Sequence, residues 1–177
     1  MIFLVRHGEA AASWGDHPDP GLSDLGRDQA ERAALELVAL GAHHAVTSPM
    51  QRCRETYAAF EDLAGVAAPV VQAVSEIETP AGIADRVAWL RGVMAGEWSD
   101  DLLNWRKQAF AAVDALPDGT AVFSHFVAIN AIVGEIMSDP RALVFRPNHC
   151  SITQLVRGKD GKLTVATLGG EAETRVL

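Results

Sequence analysis

An arginine and a histidine placed directly after an apolar strand are equipped to bind an anion and attack it, and Arg6-His7-Gly8-Glu9 follows Ile2-Phe3-Leu4-Val5 in this way. At average residue usage this tetrad arises by chance about once in a thousand chains of this length or less. Two further short apolar runs end in residues of the same kind. Ala45-Val46-Thr47 leads to Ser48 and Arg52, and Ala121-Val122-Phe123-Ser124 leads to His125. Parallel strands joined by crossover helices bring their carboxyl ends to one edge, so Arg6, His7, Ser48, Arg52 and His125 are expected to converge. Two guanidiniums and two imidazoles around one point form an anion site. Arginine forks grip two phosphate oxygens at once, and Ser48 with the start of its helix adds donors and a favourable dipole. Phosphate is the anion that fits best.

A histidine flanked by arginines is held neutral, because like charges about 4 Å apart cost about 4 kcal/mol at an effective dielectric near 20. Neutral His7 is then a nucleophile that forms a phosphohistidine, with His125 as its charged partner. Glu76, beyond a third apolar run, is placed to stay protonated and donate to a leaving oxygen, while Glu78 competes for that role. Glu9, Ser13, His17 and Phe126 are candidates to line the substrate pocket, and Glu9 is also placed to orient an arginine.

The elements that must position these groups alternate. The first strand is followed by a loop over 10–21, then by a helix with Ser23 as N-cap that ends at Gly41. Ser48-Pro49 reads as the cap and first residue of a second helix after the strand at 45–47. Val70 to Val74 reads as a third strand. Helices are expected over 83–95 and 102–116, with Trp89, Trp98 and Trp105 clustered around the break between them as core or as the rim of a lid. The strand at 121–124 feeds a nearly apolar helix from Phe126 to about Met137. Runs at 151–156 and 163–168 flank Lys159-Asp160-Gly161, a hairpin signal. The pattern predicts one domain over 1–177, a three-layer α/β/α sandwich with a mixed, mostly parallel sheet, helices on both faces and an antiparallel edge.

Composition narrows the setting. The 177 residues suffice to bury a core of their own. A net charge of -8 argues against a nucleic-acid or anionic-membrane surface, so the anion site must be a local basic pocket. The longest apolar stretch is broken by Asn130, Gly134 and Glu135, too short for a membrane helix. Cys53 and Cys150 make no disulfide framework, and a reduced, cytoplasmic setting is the expectation.

These residues resemble the histidine phosphatase superfamily, the phosphoglycerate-mutase-like proteins. Arg6-His7-Gly8-Glu9 is similar to its signature, Leu22-Ser23-Asp24-Leu25-Gly26-Arg27-Asp28-Gln29-Ala30 to its Leu-Thr-x-x-Gly-x-x-Gln-Ala helix start, and Thr47-Ser48-Pro49-Met50-Gln51-Arg52-Cys53-Arg54-Glu55-Thr56 to its Thr-Ser-Pro-x-x-Arg-x-x-x-Thr stretch; Ser124-His125 supplies the second histidine. The resemblance implies a nucleophile at His7, a phosphate clamp of Arg6, Arg52 and His125, and Glu76 as proton donor, with no metal and no cofactor. Three departures stand out. Phe126 replaces the glycine usual after the second histidine and is expected to wall or narrow the pocket. Glu76-Ile77-Glu78-Thr79-Pro80 replaces a Gly-x-Trp-x-Gly-like stretch. Ala10 stands where threonine or serine is common, as in the compact phosphohistidine protein phosphatases. The nine residues after Leu168 are fewer than the tail mutases carry, which favours hydrolysis over phosphoryl return.

The expected function is a metal-independent phosphatase that hydrolyses phosphomonoesters through His7 and releases inorganic phosphate. A phosphohistidine or phosphoprotein phosphatase and a non-catalytic phospho-ligand module are the alternatives, and a mutase ranks below them. Substrates are a phosphorylated small molecule or a phosphoprotein. The remaining histidines, His43, His44 and His149, read as surface or satisfied core groups, as does His17 where it is not at the pocket, and Arg54 as a surface charge.

Overall fold

The computed structural model describes residues 1–12 and 17–171. Five strands, β1 (Ile2–Arg6), β2 (His44–Thr47), β3 (Thr120–Ser124), β4 (Ile152–Arg157) and β5 (Leu163–Thr167), form one sheet in the order β2-β3-β1-β4-β5. β1 and β2 pair β3 in parallel, and β4 runs antiparallel to both β1 and β5. Four of the five strands therefore point one way, and the sheet is mixed and mostly parallel.

Alternation along β1 splits the core into two layers. Phe3 and Val5 pack with Ala34 and Leu37 of α1 (Asp24–Ala39) and with Tyr57 and Phe60 of α2 (Gln51–Ala64). Ile2 and Leu4 face the other way, onto Val113 of α4 (Asp100–Asp114) and Ile129, Ile132 and Val133 of α5 (Phe126–Met137). A period of two in β1 thus demands helices on both faces. A third cluster, beyond the strand ends, joins Leu90 of α3 (Arg86–Met94) to Trp98, Phe126 and Val127; Trp98 is core, and the half-buried Trp105 packs against it with ring centres 5.7 Å apart.

Several expected boundaries shift. The third strand at 70–74 is not formed: Val70 makes one isolated parallel bridge to Thr47, and Gln72–Val74 is a single 3-10 turn. Pro69 has no N–H to continue a ladder, and the chain leaves the sheet edge so that Val74, fully buried, can accept from Ser124 Oγ at 2.7 Å. Ser48 does not cap α2, which starts at Gln51 with Met50 as N-cap. α3 starts at Arg86, where the Asp85 carboxylate accepts from Ala88 N, because Pro80 and Gly82 interrupt the chain before it. α4 starts two residues early, with Asp100 and Asp101 in the first turn favoured by the helix dipole.

Among the described residues no helix is long and apolar enough to cross a membrane.

Candidate active site

Parallel register assembles the site. Arg6 stands opposite Ser124 and Thr47 opposite Phe123, so the three strands end level. His7 N then donates to Ser124 O at 3.0 Å and Ser48 N to Phe123 O at 3.0 Å. His7 and His125 come within 5.2 Å, ring centre to ring centre.

The loop after β1 is held down by the start of α1 and by α2. Gly8 N donates to Thr56 Oγ1 at 3.0 Å, and Thr56 Oγ1 donates to Arg52 O at 2.7 Å, which ties the loop to α2. Glu9 N donates to Gln29 Oε1 and Ser23 Oγ donates to Glu9 Oε1, both at 2.8 Å. Gly8 and Gly26 meet backbone to backbone: a Cβ on Gly26 would stand 2.1 Å from Glu9 O, and one on Gly8 2.5 Å from Gly26 O. Both glycines are present because the α1 N-terminus presses on the loop that carries His7.

The tautomer of His7 is set by its partners. Its Nδ1–H donates to Gly8 O at 2.7 Å, and its Nε2 accepts from Arg52 Nε at 3.2 Å. Nε2 thereby carries no proton, and its lone pair points at Arg52 Nε. Burial pulls the His7 pKa well below its ordinary value, with His125, Arg6 and Arg52 adding to the effect. Desolvation thus outweighs the flanking arginines that the sequence pointed to.

Neighbouring groups immobilise the two arginines and leave each with a donor to spare. Arg6 donates from Nη1 to Pro147 O and from Nη2 to His149 Nε2, both at 2.9 Å, and lies 5.2 Å from the centre of the Phe126 ring. Burial lowers its pKa to about 10, which still leaves it charged at neutral pH. Arg52 donates from Nη2 to His125 Nδ1 at 3.1 Å and reaches Asp19 Oδ1 only at 3.7 Å. It does not pair Glu55, which binds Gln51 and Leu22 instead. Arg6 Nε and Arg52 Nη1 are buried and find no acceptor among the described residues. Buried guanidinium N–H groups without acceptors are costly unless an anion completes them.

His125 differs from expectation. Arg52 donates to its Nδ1, so the proton sits on Nε2 and is donated to Ser48 Oγ at 2.7 Å. Burial, then Arg52 and Arg6, push its pKa well down. The ring is neutral, not the charged partner, because the guanidinium already fills that place. Ser48 is fully buried behind it and orients the imidazole rather than facing the cavity.

A cavity of about 250 Å³ opens over this cluster, lined among others by Arg6, His7, Arg52, Glu76 and Phe126. Glu76 accepts from Ile77 N at 3.0 Å and from Val127 N and Ala128 N at 3.2 Å each, at the start of α5. Burial raises its pKa, and these N–H groups and Arg52 partly offset that rise. Glu78 is exposed and lines a different cavity. Glu9 lines the first cavity. His17 does not; it is exposed, and its Nδ1 accepts from Asp19 N. Ser13 lies outside the described residues.

His149 is the site residue that sequence reasoning passed over. It lines the cavity, holds Arg6, and lies 5.9 Å from His7, ring centre to ring centre. Burial and Arg6 bring its pKa down to about 4. The one available signal was its position just before β4, the strand antiparallel to β1, which returns the chain to the Arg6 end of the sheet.

The chain is 24% identical over 182 residues to a probable phosphoglycerate mutase GpmB of Erwinia tasmaniensis, covering 88% of this chain and 84% of that protein. A mycobacterial glucosyl-3-phosphoglycerate phosphatase bound to inorganic phosphate superposes with a TM-score of 0.78 at 19% identity, covering 98% of this chain and 99% of that one. A phosphoserine phosphatase of Entamoeba histolytica in complex with 3-phosphoglyceric acid gives 0.77 at 17% identity, with 96% of each chain covered. The family model that matches spans residues 2–168, every strand included, and the chain belongs to the histidine phosphatase superfamily (branch 1).

Proposed function

We propose that this protein is a phosphohydrolase that works through a phosphohistidine on His7. The observation that carries the reading is the pair of buried, acceptor-free donors, Arg6 Nε and Arg52 Nη1, beside a histidine whose Nδ1–H is committed to Gly8 O. A phosphoryl group supplies both donors with oxygens. An oxygen that accepts from Arg52 Nε as well releases the His7 lone pair. His7 Nε2 then forms a bond to phosphorus as the ester P–O bond breaks, and Glu76 gives its proton to the departing oxygen. In the second step water attacks phosphorus, Glu76 takes the water proton, and His7 is restored as phosphate leaves. Charge in both transition states spreads over the non-bridging oxygens that the arginines hold.

Inorganic phosphate and 3-phosphoglyceric acid in the two relatives support a small phosphorylated substrate. A bare phospho-ligand module would have no use for the fixed His7 tautomer. The mutase named among the relatives supports a second reading, in which the phosphoenzyme returns its phosphoryl group to a second hydroxyl.

The test is incubation with excess aryl phosphate in chelator, with phosphate release followed and acid-labile phosphate mapped on the quenched protein. Label on His7 with steady release is the expected result. Full activity in His7→Ala overturns the mechanism, and label without release favours the mutase. Turnover of a phosphohistidine protein measured beside small esters decides between the two substrate sizes.

A further inference from the structure

The floor of the cavity is polar, and one side of its wall is apolar. The described cations lining it are Arg6 and Arg52, and each carries a buried donor without a hydrogen-bond partner among the described residues. That apolar side is Leu90 and Met94, one turn apart on α3, with Phe126 and Val127 in the first turn of α5. Leu90, Phe126 and Val127 are at most 7% exposed, so they are fixed by the cluster beneath. The other ionisable groups around the cavity do not add positive charge. Glu9 and Glu76 are acids, and His149 is neutral with its Nε2 accepting from Arg6.

We propose that the cavity beyond the phosphate is a subsite for an apolar, uncharged leaving group, aromatic or aliphatic, and that a second anionic group on the substrate is excluded. This rests on the reading of the Arg6–His7–Arg52 floor as the phosphoryl site. A carboxylate carried into this space would be stripped of water against Leu90, Met94 and Phe126, and among the described residues no cation other than Arg6 and Arg52 lines the cavity to receive it, which is costly. An apolar group gains from the same burial. The specificity of this chain then differs from that of relatives whose ligands carry a carboxylate.

Two non-hydrolysable phosphonates test the subsite without relying on turnover: benzylphosphonate, with a ring, and 3-phosphonopropionate, with a carboxylate, each titrated calorimetrically into the wild-type protein. Tighter binding of benzylphosphonate by about tenfold or more is expected, the size of a buried ring's transfer gain. Equal binding, or tighter binding of the carboxylate, overturns the proposal. Met94→Lys, on the partly exposed turn of α3, is expected to narrow the ratio by strengthening 3-phosphonopropionate alone. Turnover of 1-naphthyl phosphate and of phosphoserine is measured in parallel. Tight benzylphosphonate binding with no turnover of either ester would refute the hydrolase reading and uphold the subsite.

Discussion

Gly26→Ala is a sharp test of how the site is held, because two physical effects predict opposite signs. Gly26 lies in the first turn of α1, where alanine is intrinsically better than glycine by about 1 kcal/mol. The added Cβ would meet Glu9 O at 2.1 Å, Glu9 N at 3.0 Å and Glu9 C at 3.0 Å. These are backbone atoms, so no rotamer relieves the contact. The loop must retreat by roughly an ångström to restore ordinary separation, and Glu9 O also accepts from Ser23 N at 2.9 Å. Overpacking costs about 1–3 kcal/mol and a broken hydrogen bond about 1 kcal/mol, which together exceed the propensity gain. Net destabilisation of about 1–3 kcal/mol is expected. His7 moves with the loop, and misplacement on this scale lowers kcat/KM by about 100-fold. Gly92→Ala in α3 is the matched control, since its Cβ would meet nothing within 4 Å; it should stabilise by about 0.5–1 kcal/mol. Urea unfolding of both variants reads the signs directly. Stabilisation by Gly26→Ala would refute the close-approach reasoning.

Protonation and the buried hydrogen bonds of the site set further outcomes. His7 and His125 are held neutral, with pKa values below the ordinary 6.5. As pH falls through that value the unfolded chain binds protons that the native state refuses, so stability declines by about 1.4 kcal/mol per histidine per pH unit. Urea midpoints at pH 7, 6 and 5 check this, and a flat profile would contradict the burial of neutral rings. The neutral His7 should also carry the acid limb of kcat/KM well below pH 6.5, while the raised Glu76 pKa places the loss of its proton on the basic limb. Glu76→Gln should remove that basic limb. Ser48→Ala leaves the buried His125 Nε2–H without its main acceptor, at a cost of about 1–3 kcal/mol in urea unfolding; unchanged stability would mean that Cys53 Sγ, 3.3 Å away, substitutes. His149→Phe deprives Arg6 Nη2 of its acceptor, and inhibition by inorganic phosphate should weaken about tenfold, the worth of a hydrogen bond to a charged group.

Residues at strand ends were legible in the sequence because uninterrupted apolar runs marked where β1, β2 and β3 stop, and parallel pairing then brings the residues just beyond those stops to one level. Ser23 as a cap, α5 and the final hairpin were legible for the same local reasons. The 70–74 run misled because valines favour strands wherever they occur, whereas the tertiary bond from Ser124 to Val74 decides its path. The protonation of His125 was misjudged because one donor, Arg52 Nη2, fixes it, and no spacing rule locates that atom. His149 was hidden by distance: it lies 143 positions from Arg6 and joins it only through the β1–β4 pairing.

That pairing also sets a timetable. β1 is the earliest described strand, yet its two sheet neighbours are β3 and β4, with Ile2 opposite Thr120 and Leu155. At roughly 5–20 residues per second of synthesis, the nascent strand waits on the order of ten seconds or more before its flanks exist. For that interval Ile2-Phe3-Leu4-Val5 is an apolar, hydrogen-bond-hungry segment with no cognate edge, the kind of stretch that recruits chaperones or neighbouring chains. His7 meets Arg52 early in synthesis but His125 and His149 only once β3 and the approach to β4 have been made. Assembly of the His7 cluster therefore waits on the same long-range pairing that gives β1 its flanks.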